Sequence, residues 1–213
     1  MAANLAAHRA NVRKALHDED AAAYVWTDAV LDRHIDHAVN ELSIELPREL
    51  KTTLTTTAGS RDLAITTLTD RVDIERVEWP VGEFPPRFVG FSAWSSTLTL
   101  DVAGAPVGAE NVNVYWLAKH LVDASNSTIP AVYDDLLAAG ASAYAALDRE
   151  VYAINKLNTG GEDVWGRYKV LGDERLAYFR AELKRLGRRN TVRARRMYST
   201  DAPAVFEQGR VKY

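Results

Sequence analysis

Between Ser127 and Asn158 the sequence reads STIPAVYDDLLAAGASAYAALDREVYAINKLN, and this stretch limits the folds open to the chain more than any other. Tyr133, Leu137, Gly140, Tyr144, Leu147, Val151 and Ile154 recur at alternating steps of four and three, which draws one apolar stripe along a helix. A quarter turn away lie Ala138, Ala141, Ser142 and Ala145, small side chains that let another backbone come close. A helix with two apolar faces belongs in the centre of a bundle, since a surface helix needs only one. Ser127 or Thr128 is placed to cap it, Pro130 suits its first turn, and Asp134 and Asp135 sit at the positive end of its dipole. Asn158-Thr-Gly-Gly161 reads as its stop. Asp148 interrupts the stripe, so a basic partner or an exposed lower half is expected there.

The rest of the chain is read around this helix. Residues 4 to 17 form a first helix with Leu5, Val12 and Leu16 on one side, broken by His17-Asp-Glu-Asp20. Thr27 caps a second helix reaching about Glu45, with Leu31, Ile35, Ala38, Val39 and Leu42 facing in and Pro47 beyond its end. From Lys51 the period changes to two. Lys51-Thr-Thr-Leu-Thr-Thr-Thr57 is rich in β-branched residues with little to bury, and Leu63 and Ile65 alternate. Val72 and Ile74 share a face while Val77 and Trp79 take the opposite phase, which predicts a β-bulge near Glu75 or Arg76. Pro80 and Pro85-Pro86 mark a rigid turn, Phe88 to Phe91 a short strand, and Leu98, Leu100 and Val102 alternate against Val112, Val114 and Trp116. The stretch between them is too long for a tight hairpin and is expected to project as a loop. A last helix runs from about Asp163 to Leu186 with Val164, Tyr168, Leu171, Phe179, Leu183 and Leu186 as its stripe and Trp165 alongside. Gly172 in it marks a bend or a close contact, and Gly187 ends it.

The fold expected is therefore α+β and mainly α. A helical bundle of two N-terminal and two longer C-terminal helices spans residues 1–187. An antiparallel sheet of five or six strands, one face buried and one wet, is inserted at about 51–117, and residues 188–213 form an extended basic C-terminal arm.

Composition narrows the function by exclusion. The chain has 213 residues and no cysteine, which rules out disulfides, thiol catalysis and cysteine metal sites. No stretch resembles a membrane span, and MAANLAAHRANVRKAL is too polar for a signal peptide. The net charge of −3 hides an asymmetry: from Lys184 onward nine basic residues face only Asp201 and Glu207, leaving −10 on the preceding 183 residues. A basic tail on an acidic body suggests an arm that reaches a partner. The tail also carries Met197, Tyr198, Val205, Phe206, Val211 and Tyr213, which disordered tails tend to lack.

No phosphate loop, nucleophile elbow or dinucleotide fingerprint is present, so neither catalysis nor a cofactor is expected. His34, His37 and Glu41 have the helical spacing of a zinc half-site, but a polar helix flank explains them better in the absence of a further ligand. Asp70, Asp73 and Glu75 could attract a divalent cation, yet Asp73 and Glu75 alternate with Val72 and Ile74 as a wet strand face does. Arg188, Arg189, Arg193, Arg195 and Arg196 with Tyr198 could contact nucleic acid or anchor on an acidic protein. The acidic body repels DNA and favours the protein partner.

The strand Val72 to Trp79 with its proline turns, TLTLDV followed by NVNVYW, and STIPAVYDDLLAAGASAYAAL together resemble the head-to-tail connector, or adaptor, proteins of tailed bacteriophages, over residues from about Val12 to Arg196. The resemblance implies a structural virion protein in the neck between head and tail, assembled in the host cytoplasm. It implies a homo-oligomeric ring, commonly a dodecamer, that binds the portal, docks a tail or neck protein, and extends a channel for double-stranded DNA without binding it specifically. On that reading Arg188, Arg189, Arg193, Arg195, Arg196, Met197, Tyr198, Val205, Phe206 and Tyr213 form a portal-docking arm. Gly104, Ala105, Pro106, Val107 and Gly108 form a loop toward the tail or the channel. The small-residue helix face and the wet sheet would serve lateral packing of identical subunits. The alternative is a nucleic-acid-binding or regulatory module that uses the basic arm as its reader.

Overall fold

The computed structural model describes residues 3–154 and 164–194. The described chain divides into a helical unit and a sheet unit, each with its own apolar core. The helical unit takes the described residues up to Arg48 and from Lys119 to Arg188, and the sheet unit those from Glu49 to Ala118 together with residues 189–194.

In the helical unit, α1 (Leu5–Leu16) is capped by Asn4, whose side chain accepts from the Ala7 amide, and it stops at His17 in a left-handed conformation. Helix α2 (Asp28–Glu45) starts at Thr27, whose hydroxyl accepts from the Val30 amide, as the sequence indicated. Its stripe of Leu31, Ile35, Ala38, Val39 and Leu42 is fully buried. Helix α3 (Asp134–Ile154) is the central one: Leu137, Ala141, Ala143, Ala145 and Ala146 are inaccessible to solvent. Its small-residue face is used inside the subunit, in the same core as α1 and α2. It is therefore not available for lateral packing between copies.

The beginning of α3 differs from the expectation. A single 3-10 turn, Ala131–Tyr133, precedes it, and neither Ser127 nor Thr128 caps it. The Ser127 hydroxyl accepts from the Ile129 amide instead. Thr128 faces His120, whose Nδ1 lies 3.1 Å from the Thr128 hydroxyl while Nε2 lies 3.0 Å from the Leu46 carbonyl. Asp134 and Asp135 do occupy the first turn, where the dipole favours negative charge. Below the buried part, Val151 is 60% exposed and Asp148 meets Arg33 at 2.9 Å, so Asp148 has both a basic partner and a wet surround. The stop at 158–161 lies outside the described residues.

Helix α4 (Val164–Ala194) runs eight residues past the predicted end at Leu186. Gly187 does not stop it. A Cβ there would lie 3.1 Å from the Glu45 carbonyl oxygen and 2.7 Å from its carboxylate, so this glycine permits close approach to α2 rather than a left-handed turn. Gly172 acts likewise against Leu147 and the Ala143 carbonyl, and Gly140 of α3 against the Phe179 ring at 2.8 Å.

The sheet unit holds β1 (Arg48–Thr55), β2 (Asp62–Ala64), β3 (Arg71–Glu78), β4 (Phe88–Trp94), β5 (Thr97–Asp101) and β6 (Asn111–Ala118), in the antiparallel order β1-β6-β3-β4-β5-β2. Its core is Leu63, Ile65, Ile74, Val77, Leu98, Leu100, Val112, Val114 and Trp116 with their neighbours. Leu50 and Leu54 also pack there, giving β1 more to bury than its threonines implied. The expected bulge is present: Ile74 pairs with Trp116 and Arg76 with Tyr115, so Glu75 is the extra residue and Ile74 and Val77 share the buried face. A second shift, between Arg71 and Asp73, makes Val72 extra as well and turns it outward. Two bulges in one central strand raise its twist.

Candidate functional site

The features of the described residues best suited to function are surfaces, and the richest lies at one end of the sheet. The β3–β4 connection closes through the Trp79 amide donating to the Arg87 carbonyl. It presents Phe84 at 97% exposure, with Val81 nearby in sequence and also exposed. The β5–β6 connection is at the same end, because β5 runs antiparallel to β4 from Thr97 opposite Trp94 to Asp101 opposite Gly90. A groove of about 460 Å³ opens here, lined by Trp79, Arg87, Phe88, Val102, Pro106 and Glu110 among others.

Of the loop residues singled out in the sequence, Gly104, Ala105, Pro106, Val107 and Gly108, only part projects. Pro106 is buried, its carbonyl accepting from Gly59, and the Ala109 amide donates to the Thr56 carbonyl. The Glu110 amide donates to the Thr56 hydroxyl, and the Glu110 carboxylate accepts from the Trp79 indole. Gly108, at φ +109°, sits so close to Ala58 that no side chain fits. Arg61 adds two bonds, to the Val102 and Ala103 carbonyls. The loop is thus latched to the β1–β2 turn, and its free tip is Val107, 83% exposed. At the other end of β4, Trp94 is 87% exposed on the turn into β5. Neither aromatic tip stood out in the sequence, because Phe84 beside two prolines and Trp94 ending an alternating run both read as turn neighbours.

Buried polar residues in this unit are structural. Glu78 accepts from the Asn113 amide and the Tyr115 hydroxyl, and these two bonds, outweighing burial, hold its carboxyl below the usual range.

His34, His37 and Glu41 do line one flank of α2, each with its own partner. His37 stacks on the Tyr144 ring, centroids 4.0 Å apart. His34 lies 3.6 Å from Asp148, and burial lowers its pKa against the pull of that carboxylate. Burial raises the Glu41 carboxyl, but bonds from Arg180 and Tyr144 together hold it lower than usual. Burial with the Glu41 contact pushes the Tyr144 hydroxyl up to about 12. Among the described residues no group of three potential ligands could hold a metal ion. Asp73 and Glu75 lie exposed on β3, and Asp70 is exposed in the turn before it.

Of the arm residues, Arg188 is exposed on α4, and Arg189 and Arg193 also fall within that helix, so the arm does not begin extended at 188. Arg195, Arg196, Met197, Tyr198, Val205, Phe206 and Tyr213 lie outside the described residues.

No protein-family model matches the chain, and no curated protein matches it. Among solved structures it is similar to a chain of the neck of an empty GTA particle, with 14% identity over 82% of this chain and 89% of that one, and a TM-score of 0.30. A likeness at that level establishes neither fold nor role. No helix among the described residues is long and apolar enough to cross a membrane.

Proposed function

We propose that the protein is a structural, non-enzymatic component of a virion neck, an adaptor ring of identical subunits between a portal and a tail or neck protein. The observation that carries this reading is the placement of large apolar side chains. Phe84 and Val107 stand almost fully exposed on two connections at one end of the sheet, flanking a groove, and Trp94 does so at the far end of β4. Exposed apolar tips of that size mark protein–protein contact, and aromatic anchors are favoured in such interfaces. The acidic charge of the chain before Lys184 suits a wall past which double-stranded DNA moves without sticking during genome ejection. The basic stretch from Arg188 onward supplies docking to a portal or to a neighbouring subunit through charge-assisted bonds to carboxylates.

Electron microscopy of the purified protein, alone and mixed with filled heads, tests this. The expected result is a closed ring of about twelve copies that caps the portal vertex. A monomer that binds duplex DNA with a steep salt dependence would instead favour the regulatory or nucleic-acid-binding alternative.

A further inference from the structure

The sheet has two margins, and they are unlike. Strand β2 at one margin has three residues, whereas β1 at the other has eight, RELKTTLT, with no proline and no glycine. Long regular edge strands template pairing with another chain, and proteins usually blunt them with charge, proline or a bulge. Here the one lysine of the strand, Lys51, lies 5.2 Å from the centre of the Tyr115 ring, over the sheet face. The direction of the open edge follows from Thr56, whose amide and carbonyl both bond toward the β5–β6 connection. By the two-residue period, Thr55, Thr53, Lys51 and Glu49 direct their backbone groups the other way. Among the described residues no backbone bond outside the sheet reaches these four.

We propose that residues 205–213 of one copy, VFEQGRVKY, add as a further strand to the β1 edge of a neighbouring copy. This rests on the ring reading above, in which identical copies stand side by side and a head-to-tail contact repeats until the ring closes. Charge supports it: residues 49–118 carry nine acidic against five basic side chains, and residues 195–213 carry four basic against two acidic. Pattern supports it too. Val211 and Tyr213 alternate with Arg210 and Lys212, so one face of the added strand extends the half-buried Leu50 and Leu54 stripe while the other brings cations toward exposed Glu49. Nine residues match the eight of β1. Main-chain pairing supplies affinity in such strand addition, and alternate side chains supply specificity.

The absence of cysteine from the natural sequence makes the test direct. Full-length copies carrying Thr53→Cys are mixed with copies carrying Phe206→Cys, Gln208→Cys or Arg210→Cys, which the two-residue period places on the same face as Thr53, oxidised mildly, and run on a denaturing gel, while mass photometry follows assembly of the unsubstituted protein. The expected result is a reducible heterodimer from at least one pairing. With Lys51→Cys as the anchor, Thr53→Pro, which removes one outward amide, should lower its yield by about tenfold without changing the far-ultraviolet spectrum. Rings without any heterodimer would overturn the strand addition and leave the ring reading standing. A chain that stays monomeric would overturn the ring reading and the proposal with it. A doubly substituted chain that forms only an internal link would show the arm on its own edge and also overturn it.

Discussion

The two units solve the packing problem in opposite ways. In the helical unit, the contacts depend on the absence of side chains: Gly140, Gly172 and Gly187 each sit where a Cβ would meet Phe179, Leu147 or Glu45 at under 3.0 Å. In the sheet unit only Gly108 makes such an approach among the described residues, inside the loop latch at Ala58, while Gly59, Gly82 and Gly104 have open space around them, and Phe84, Trp94 and Val107 point their bulk outward from loops and turns. Exposed apolar residues of the helical unit are spread along the chain, with Ile44 on α2, Val132 on the 3-10 turn, Val151 on α3, and Val170 and Tyr178 on α4, and among the described residues only Tyr24 and Val25 adjoin in sequence. The helical unit is committed to its own interior, and the sheet unit keeps surface for others. Loops held by a rigid scaffold can vary without unfolding it, whereas a close helix contact cannot.

The sharpest way to break this contrast is to attack the charge buried in the helical unit. Arg13 has a side chain 7% exposed, donates to Asp18 at 2.7 Å and to the Trp26 carbonyl, and lies over the Tyr24 ring. Arg13→Ala leaves Asp18, itself 3% exposed, without its cation and with only the Val25 and Trp26 amides as donors, and should cost about 3–5 kcal/mol in denaturant melts. Next in size is overpacking. Ala141→Leu or Ala145→Leu should cost about 1–3 kcal/mol, or roughly 2–4 °C of melting temperature per kcal/mol in a chain of this size. An unchanged melt would mean that the small face is not the centre of the bundle.

Acid should separate the units. All five histidines lie in the helical unit, and burial lowers the pKa of His8, His34 and His120. A lowered histidine pKa means that the unfolded chain takes up protons first. Stability from these groups is therefore full above about pH 6.5 and falls as pH drops toward the folded pKa values. In the sheet unit, Glu78 is held low, so its contribution persists to about pH 4.5 and is lost only below that. Hydrogen exchange at pH 7.5 and 5.5, corrected for intrinsic rates, should show loosening of α1 to α4 with the strands unchanged. Equal loosening of both would merge the two units into one cooperative body. The smallest effect on stability belongs to Phe84→Ser and Val107→Ser, within about 0.5 kcal/mol, while recruitment of the next neck component in a pull-down from assembled particles should fall. Recruitment at full strength would relocate docking to the helical unit.

How far the fold was legible depended on whether a signal was local. Thr27 and the α2 stripe, and the bulge at Glu75, are written in consecutive residues and were readable. The second bulge was not, since Val72 could be called extra only by knowing its pairing with β6. Gly187 carries the same letter whether it ends a helix or admits a neighbour, and the neighbour, Glu45, is far away in sequence. Thr128 looked like a cap because its partner, His120, gave no sign of being buried. Asp18 entered only as part of the break after α1, and nothing local marked Arg13 as its buried partner. The stretch from Gly104 to Gly108 is a loop between β5 and β6, as its composition indicated, but its latch to Thr56 and Gly59 required the distant β1–β2 turn.

The continuation of α4 to Ala194 has a thermodynamic consequence for the basic arm. Fixing a residue costs about 1–2 kcal/mol of backbone entropy, so an arm beginning at 188 would ask its partner to offset that loss over every residue to 213. A helix that already holds residues 188–194 removes seven of them from the cost, on the order of 7–14 kcal/mol. Any contact made by residues 188–194 is correspondingly that of a pre-ordered helical surface rather than of a free tail.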